Sequence, residues 1–276
     1  AKAIGLSMSS YYYDPKTTRA DKEERDADIR GKIEQIRMEH KGAGYRPLLR
    51  HLKRSGVQIG ERRLRRILGE SGLFIKPKKK FVRTTQSDHD CLVYPNLISG
   101  MTIDNINQVW ATDITYIRIN NGFIFLAVVI DLYSRRVIGW ALSKKIDRNL
   151  TLDALKMAIV RRNPPEGVIH HSDRGVQYLC QDYVKLLKKN KFFISCSRKA
   201  NPYDNAWVES FMKTLKHEEI YMGKYETYLD VIENLPYFIE EKKKKKRLHS
   251  SLDYLPPEEF EDKTRKMKGS RPKFTL

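Results

Sequence analysis

Residues 109–119, Val-Trp-Ala-Thr-Asp-Ile-Thr-Tyr-Ile-Arg-Ile, constrain the fold more than any other stretch. In an extended chain Val109, Ala111, Thr115, Ile117 and Ile119 share one side of the pleat with Asp113, and Trp110, Ile114 and Tyr116 take the other. Both faces are largely apolar. That pattern belongs to a central strand covered on both sides, and so to an α/β architecture. An ionised carboxylate in such a strand is costly unless something cationic pairs with it. The strand alone leaves two readings of Asp113 open. One is a structural Asp satisfied by a buried arginine or by backbone donors; the other is a ligand-holding Asp.

Two further acidic positions join it. Asp173 follows a short apolar run, residues 167–171, which lies beyond Pro164 and Pro165. A segment of helical period comes next, with Cys180, Tyr183, Val184 and Leu187 on one face. Asp173 therefore lies just past a strand end, where α/β sheets place ligand sites. A turn-forming Asp is the bland alternative. Glu209 falls on a helix that begins after Asp204 and Asn205, either of which can act as N-cap. Val208, Phe211, Met212 and Leu215 make its buried stripe; Glu209, Lys213 and Lys216 make a second stripe about 100° away. A carboxylate and two lysines on one flank suit a metal ion with a phosphate beside it, and an exposed i,i+4 Glu–Lys pair is the competing account.

Thirty-five residues separate Asp173 from Glu209, a spacing expected by composition for roughly four acidic pairs in such a chain. The spacing is weak; the element types at the three positions (strand interior, strand end, helix) are stronger. More specific still are the words around them: WATDIT (110–115), VIDLYSR (129–135), HSDRGVQY (171–178), NPYDNAWVESF (201–211), LKHE (215–218) and RLHSSL (247–252). In these the chain resembles the transposases of the insertion-sequence-three family, in particular their catalytic open reading frame B. It is similar more broadly to retroviral-integrase-like DDE enzymes. The resemblance covers nearly the whole chain. It implies an RNase H-like fold with Asp113, Asp173 and Glu209 as the metal-binding catalytic triad. At residues 242–244 the chain departs from those relatives, carrying three lysines where a Val-Tyr-Asn-like stretch is usual.

The formal net charge of +19 points to a polyanionic partner. A membrane surface is the other polyanion, but no apolar run approaches the ~20 residues of a spanning helix and no signal peptide opens the chain. Cys91, Cys180 and Cys196 form no CxxC pair, so neither a zinc finger nor a disulfide framework is expected. A reducing cytoplasm, with association to the nucleoid, fits. The first residue is Ala1 rather than Met, as in a processed or recombinant piece or the latter part of a longer fusion.

In chain order, residues 1–83 form an expected N-terminal helical DNA-binding region. Residues 21–40 read as a charged helix with Ile29, Ile33 and Ile36 on one face. Residues 45–53 follow as a second, buried through Leu48, Leu49 and Leu52, and residues 61–70 as a third, buried through Leu64, Ile67 and Leu68. Two helices with apolar inner faces joined at Ser55-Gly56 read as helix-turn-helix-like. The third carries Arg62, Arg63, Arg65 and Arg66, and Lys78, Lys79 and Lys80 lie just beyond. Residues 44–83 hold 13 basic and 2 acidic side chains, which favours DNA over a merely solvated face. Residues 84–104 read as a linker.

Residues 105–222 form the expected core. Asn120-Asn121-Gly122 signals a hairpin, followed by strands at 123–130 and 136–142. A helix with Leu152, Leu155 and Ile159 inward leads to the Asp173 strand, and 192–196 reads as a fifth strand. These elements argue for a mixed five-stranded sheet flanked by helices. Asp131 is a rival carboxylate, better read as shaping the 131–135 turn. Arg198 and Lys199 open a basic loop, equally suited to gripping DNA and to ordinary surface charge. One of His170 and His171 is a candidate to position phosphate, with a structural role at least as natural. Residues 223–276 form a helical and basic C-terminal part, in which Pro236 should kink or break a helix. From residue 262 the chain is polar enough to be disordered without DNA.

Cleaving a phosphodiester in line needs an activated oxygen nucleophile and a stabilised leaving oxygen, which two Mg²⁺ about 4 Å apart can serve. Three carboxylates suit that hard cation, and Mn²⁺ can substitute. The expected reaction is cleavage of transposon ends and joining of the 3′-OH to another phosphodiester. The expected partners are terminal-repeat and target DNA, and the resemblance adds a homo-oligomer holding paired ends. The competing classes are a non-catalytic helix-turn-helix regulator and a nuclease without strand joining.

Overall fold

A computed structural model describes residues 19–40, 42–74, 93–198, 202–223 and 225–269. Tyr11, Tyr12, Tyr13, Lys78, Lys79, Lys80, Cys91 and Lys199 lie outside them. The chain divides into two compact units.

The first unit is helical: α1 (Arg19–Glu39), α2 (Tyr45–Arg54) and α3 (Glu61–Glu70). Ile29 and Ile33 bury against Leu48, Leu52, Leu64, Ile67 and Leu68, as their helical period requires, while Ile36 and Leu49 sit at the margin of this core. The connection between α2 and α3 turns at Gly56, whose φ of +82° a side chain would strain.

The second unit is built on β1 (Val109–Ile119), β2 (Gly122–Asp131), β3 (Val137–Ser143), β4 (Ile169–Ser172) and β5 (Phe193–Cys196), in the order β3-β2-β1-β4-β5. β2 runs antiparallel to both β1 and β3, whereas β4 pairs in parallel with β1 and β5 in parallel with β4. This is the RNase H-like mixed sheet. Asn120 and Asn121 form the two-residue hairpin, with Ile119 facing Gly122. β1 is central and covered on both faces. Val109, Ala111 and Ile117 pack with Val208, Phe211, Met212 and Leu215 on one side. On the other, Trp110 packs with Leu152, Leu155 and Ala158 of α4 (Arg148–Arg162) and with Tyr183 and Leu187 of α6 (Gln181–Lys189), which follows the single turn α5 (Val176–Leu179). α4 lies so close to β3 that a Cβ at Gly139 would sit 2.1 Å from the Ala154 carbonyl, so only glycine fits there.

The C-terminal segment joins this core. Helix α7 (Ala206–Leu215) widens into a π turn at Lys216–Ile220. Helix α8 (Tyr228–Tyr237) passes through Pro236 and widens to π geometry over Phe238–Lys246. The expected break is thus replaced by a change of hydrogen-bond pattern just past the residue that lacks an N–H. Val231, Leu235, Phe238 and Ile239 of this helix share one core with β1 and β2. α9 (Pro257–Gly269) continues well past residue 262, where disorder was expected. Its fully buried Glu261 accepts hydrogen bonds from Arg136 at 2.7 Å and Arg162 at 2.9 Å, tying α9 to the β2–β3 turn and to α4. Cys180 is half-buried and Cys196 buried, both as free thiols. Among the described residues no helix is long and apolar enough to cross a membrane.

Both histidines of β4 are structural. His171 engages Ser195 Oγ at 2.8 Å and Ser197 Oγ at 3.0 Å, lacing β4 to β5, and burial pushes its pKa down to about 4. His170 Nε2 meets the Tyr183 hydroxyl at 2.9 Å, and burial, helped by His171, pushes it down to about 3. Native His170 stays neutral where the unfolded chain binds a proton below about 6.5. Its contribution is therefore complete above that pH and is lost as pH falls from about 6.5 toward 3, at up to about 1.4 kcal/mol per pH unit. The expected result is a melting temperature that drops between pH 7 and pH 4.5. His170→Phe should flatten that drop; an unchanged pH dependence in thermal melts would refute it.

Candidate active site

The register of the sheet sets two of the acids side by side. β1 and β4 are parallel, with Ala111 opposite His171. Two residues on come Asp113 within β1 and Asp173 just past the end of β4; both line one cleft, and the charge of Asp173 reaches Asp113. Asp113 is half-buried, and its Oδ1 accepts from the Ile114 amide at 2.8 Å. Asp173 lies just past the end of β4, and its Oδ1 accepts from the Gly175 amide at 2.9 Å. Glu209 projects from the first turn of α7, which is held down by Val208, Phe211, Met212 and Leu215; Glu209 itself is exposed.

The electrostatics tie the three together. Burial pushes the Asp113 carboxyl up to about 8, and the negative charges of Asp173 and Glu209 both add to that rise. Burial also raises Glu209. Lys216, about two helical turns beyond Glu209, holds its Nζ 4.4 Å over the Tyr116 ring. Burial lowers its pKa while the charge of Asp113 supports the ammonium. Among the described residues no three His, Cys, Asp or Glu side chains already form a closed metal-binding group. The donor chemistry nonetheless fits a hard cation: three carboxylates, all oxygen, with repulsion at Asp113 that a divalent ion would relieve. Asp131 is not part of the cluster. Its carboxylate accepts from the amides of Asn107, Tyr133 and Ser134 and shapes the turn.

Comparison with known proteins gives the same direction. Integrase core domain models match residues 104–202 and 191–257. The uncharacterized 31 kDa protein of insertion element IS600 from Shigella sonnei is 34% identical over 268 residues, covering 96% of this chain and 98% of that protein. The transposase InsF for insertion sequence IS3A from Escherichia coli is 39% identical over 214 residues, 77% of this chain and 74% of that one. The chain belongs to the IS3 family of DDE transposases. The transposase for IS904 from Lactococcus lactis is 35% identical over 83% of this chain and 92% of its own length. Among solved structures, the catalytic core domain of BIV integrase aligns at 19% identity and a TM-score of 0.45, covering 59% of this chain and 99% of that chain. Enzymes built on the integrase core depend on a metal ion.

The basic residues of this transposase fall into distinct environments. Arg63 bonds Asp26 Oδ1 at 2.8 Å, and Arg66 bonds Asp26 Oδ2 and, at 3.0 Å, Glu70. Burial alone would raise the Asp26 pKa, but the bonds from Arg66 and Arg63 outweigh it and hold it below the ordinary value. Arg65 lies 5.2 Å over the Tyr45 ring and 3.6 Å from Glu61. Arg62 is exposed and makes no ion pair among the described residues. Lys213 is exposed on α7. Arg198 is engaged by Asp204, which accepts from its backbone N at 2.9 Å, from Nε at 3.1 Å and from Nη2 at 3.0 Å. Those bonds hold the Asp204 carboxyl down at about 2. Asp204 is therefore spent on Arg198, and Asn205 occupies the N-cap position without a side-chain capping bond, so the expected cap is not made. Asp26 and Glu261 escaped the sequence reading, and Asp204 entered it only as a candidate cap, because their partners are set by packing rather than by period.

Proposed function

We propose that Asp113, Asp173 and Glu209 together hold two Mg²⁺, for which Mn²⁺ substitutes, and that the site cuts transposon ends to expose a 3′-OH and joins it to another phosphodiester. The observation that supports this reading is the convergence of Asp113, on β1, and Asp173, just past the neighbouring strand β4, on the wall of one cleft, with the charges of Asp173 and Glu209 both reaching Asp113. Bound there, the ions supply activation of the attacking oxygen and stabilisation of the leaving one. The chain's own residues do the rest. The buried strand β1 fixes Asp113 so that little rearrangement is needed on binding. Lys216, braced on Tyr116, offers an ammonium to a phosphate oxygen beside the acids. The reaction proceeds without a covalent protein–DNA intermediate, on paired ends held by an oligomer of this chain, in the cytoplasm at the nucleoid.

DNA is gripped by the basic residues that are free to turn outward. Arg62 and Lys213 serve this role, and Arg65 joins them from its exposed pair with Glu61; Lys78, Lys79, Lys80 and Lys199, outside the described residues, are proposed as further contacts on their charge alone. Arg63, Arg66 and Arg198 reach phosphate only through the faces not taken by Asp26, Glu70 and Asp204. Arg62→Ala is expected to weaken DNA binding and reduce the slope of log affinity against log salt by about 0.9, the worth of one phosphate contact. Its melting temperature should not change. Asp26→Ala is expected instead to destabilise the helical unit by about 1–3 kcal/mol, since Arg63 loses its acceptor and Arg66 keeps only Glu70. Filter binding across a salt series with parallel melts tests both; an unaltered slope for Arg62→Ala removes it from the interface.

The reaction itself is tested by incubating the chain with labelled paired ends and Mg²⁺ and reading cut and joined products. Both products should appear, and EDTA should abolish both. Cutting without joining would make the enzyme a nuclease, and binding without either product would make it a regulator.

A further inference from the structure

Beside the carboxylates lies a cleft of about 360 Å³ that the chemistry above does not use. Asp113 and Asp173 form part of its wall, and Ile114, Tyr116, Phe125 and Ile146 supply an apolar surface. Ile146 and Val176 also line it, yet they are 47% and 49% exposed and belong to neither core cluster of this unit. These two half-exposed aliphatics and the aromatic side chains of Tyr116 and Phe125 line one cleft and leave apolar surface in water beside the acids, surface that a ligand can cover. Gln177 adds a polar group at the same wall. Its amide is folded back over the Asp173 loop: a Cβ at Gly175 would lie 2.6 Å from Gln177 Nε2 and 2.9 Å from Asp173 Oδ1. Gly175 thus permits a close approach that brings an amide, donor and acceptor together, to within a short reach of a catalytic acid.

We propose that this cleft receives one unstacked nucleobase, from a nucleotide directly flanking the phosphodiester that is cut, with the base seated on the apolar wall and its polar edge read by Gln177. The inference rests on Asp113 and Asp173 being the acids at which the phosphate is cut. A phosphate held there places the nucleosides on its two sides within one nucleotide of the cleft. Volume and lining suit a small planar ligand with one polar edge. Aromatic and aliphatic surfaces accept any base face, while an amide discriminates between edges. Drawing the base out of the stack would also free the sugar–phosphate backbone at the scissile position to approach the acids.

The test uses the full chain with Mg²⁺ and duplex ends that carry an abasic residue at either nucleotide flanking the cut. Val176→Trp fills the mouth of the cleft at an exposed position, and Gln177→Ala removes the edge contact; melts confirm that both fold. At one of the two positions, removing the base should slow cutting by wild type about tenfold or more. Val176→Trp should slow cutting of the intact duplex by a similar factor. The two changes together should cost no more than either alone, because both remove the same contact. Gln177→Ala should change the preference among the four bases at that position. Losses that multiply, Val176→Trp at full speed on the intact duplex, or Val176→Trp inactive on both duplexes while wild type cuts both would overturn the proposal. Failure of wild type to cut any duplex would instead refute the assignment of the acids.

Discussion

Glu209→Gln is expected to lower metal-dependent cutting and joining by at least about 10³-fold while leaving DNA binding and stability nearly unchanged. The amide keeps the shape of the side chain and removes only the charge. Glu209 is exposed on α7, whose hold on the sheet comes from Val208, Phe211, Met212 and Leu215 on another face, so its replacement touches no packing. Surface changes of that kind usually stay within about 0.5 kcal/mol. A loss near 10³ corresponds to about 4 kcal/mol of barrier, the scale of removing one element of preorganised charge stabilisation. Asp173→Asn and Asp113→Asn should give losses at least as large. Asp113→Asn carries a second signature. Native Asp113 holds its proton up to about 8, whereas the unfolded chain releases it near 4, so wild-type stability without metal should fall as pH rises across that window. The variant should lack that fall. Cleavage and joining assays with parallel melts decide the matter, and full activity in any one of the three variants would sink the triad.

Lys243→Tyr should raise stability by about 1–3 kcal/mol, which in a chain of this size moves the melting temperature up by several degrees. Lys243 is 4% exposed, on the π-helical segment, with its Nζ 5.4 Å from the Phe211 ring. Burial pushes its pKa well below the ordinary range, and the charges of Arg247 and Arg135 push the same way. Glu218 favours the ammonium, but Arg247 already occupies that carboxylate at 2.6 Å. A buried ammonium among like charges costs several kcal/mol, and an aromatic ring of similar reach removes the charge and fills the space. The unfolded chain binds the proton up to about 10.4, so wild-type stability is lost as pH falls below that value. The advantage of Lys243→Tyr should accordingly shrink between pH 7 and pH 10. Lys243→Met provides the same change without a hydroxyl. Melting temperatures at or below wild type for both variants would show that Lys243 is satisfied where it lies.

The two expectations differ in how visible they were before folding. Glu209 stands out in the sequence because its helix announces itself by period and its neighbours form specific words. Lys243 does not: it is one of five consecutive lysines, 242–246, of which the sequence marks 242–244 together as a departure from a Val-Tyr-Asn-like stretch without separating one from another. Only packing shows that Lys243 points inward while Lys245 pairs with Glu241 at the surface. The same holds for the arginines of α3. As a string they look equivalent, yet Arg63 and Arg66 are claimed by an aspartate 37 and 40 positions away, and Arg62 is not.

Local order along the chain was enough to mark the five strands, the Asn-Asn turn, the three N-terminal helices and the three acids, because strand and helix periods and turn chemistry are properties of neighbours in sequence. Which acids share a cleft, that Asp131 shapes a turn, that His171 laces β4 to β5, that Glu261 gathers arginines 99 and 125 positions away, and that the cleft is lined by both Asp113 and Val176 were decided by strand register and packing. The reason is physical: the energy of a charged or polar group depends on what surrounds it in space, and that neighbourhood is assembled from distant segments only when the apolar faces close.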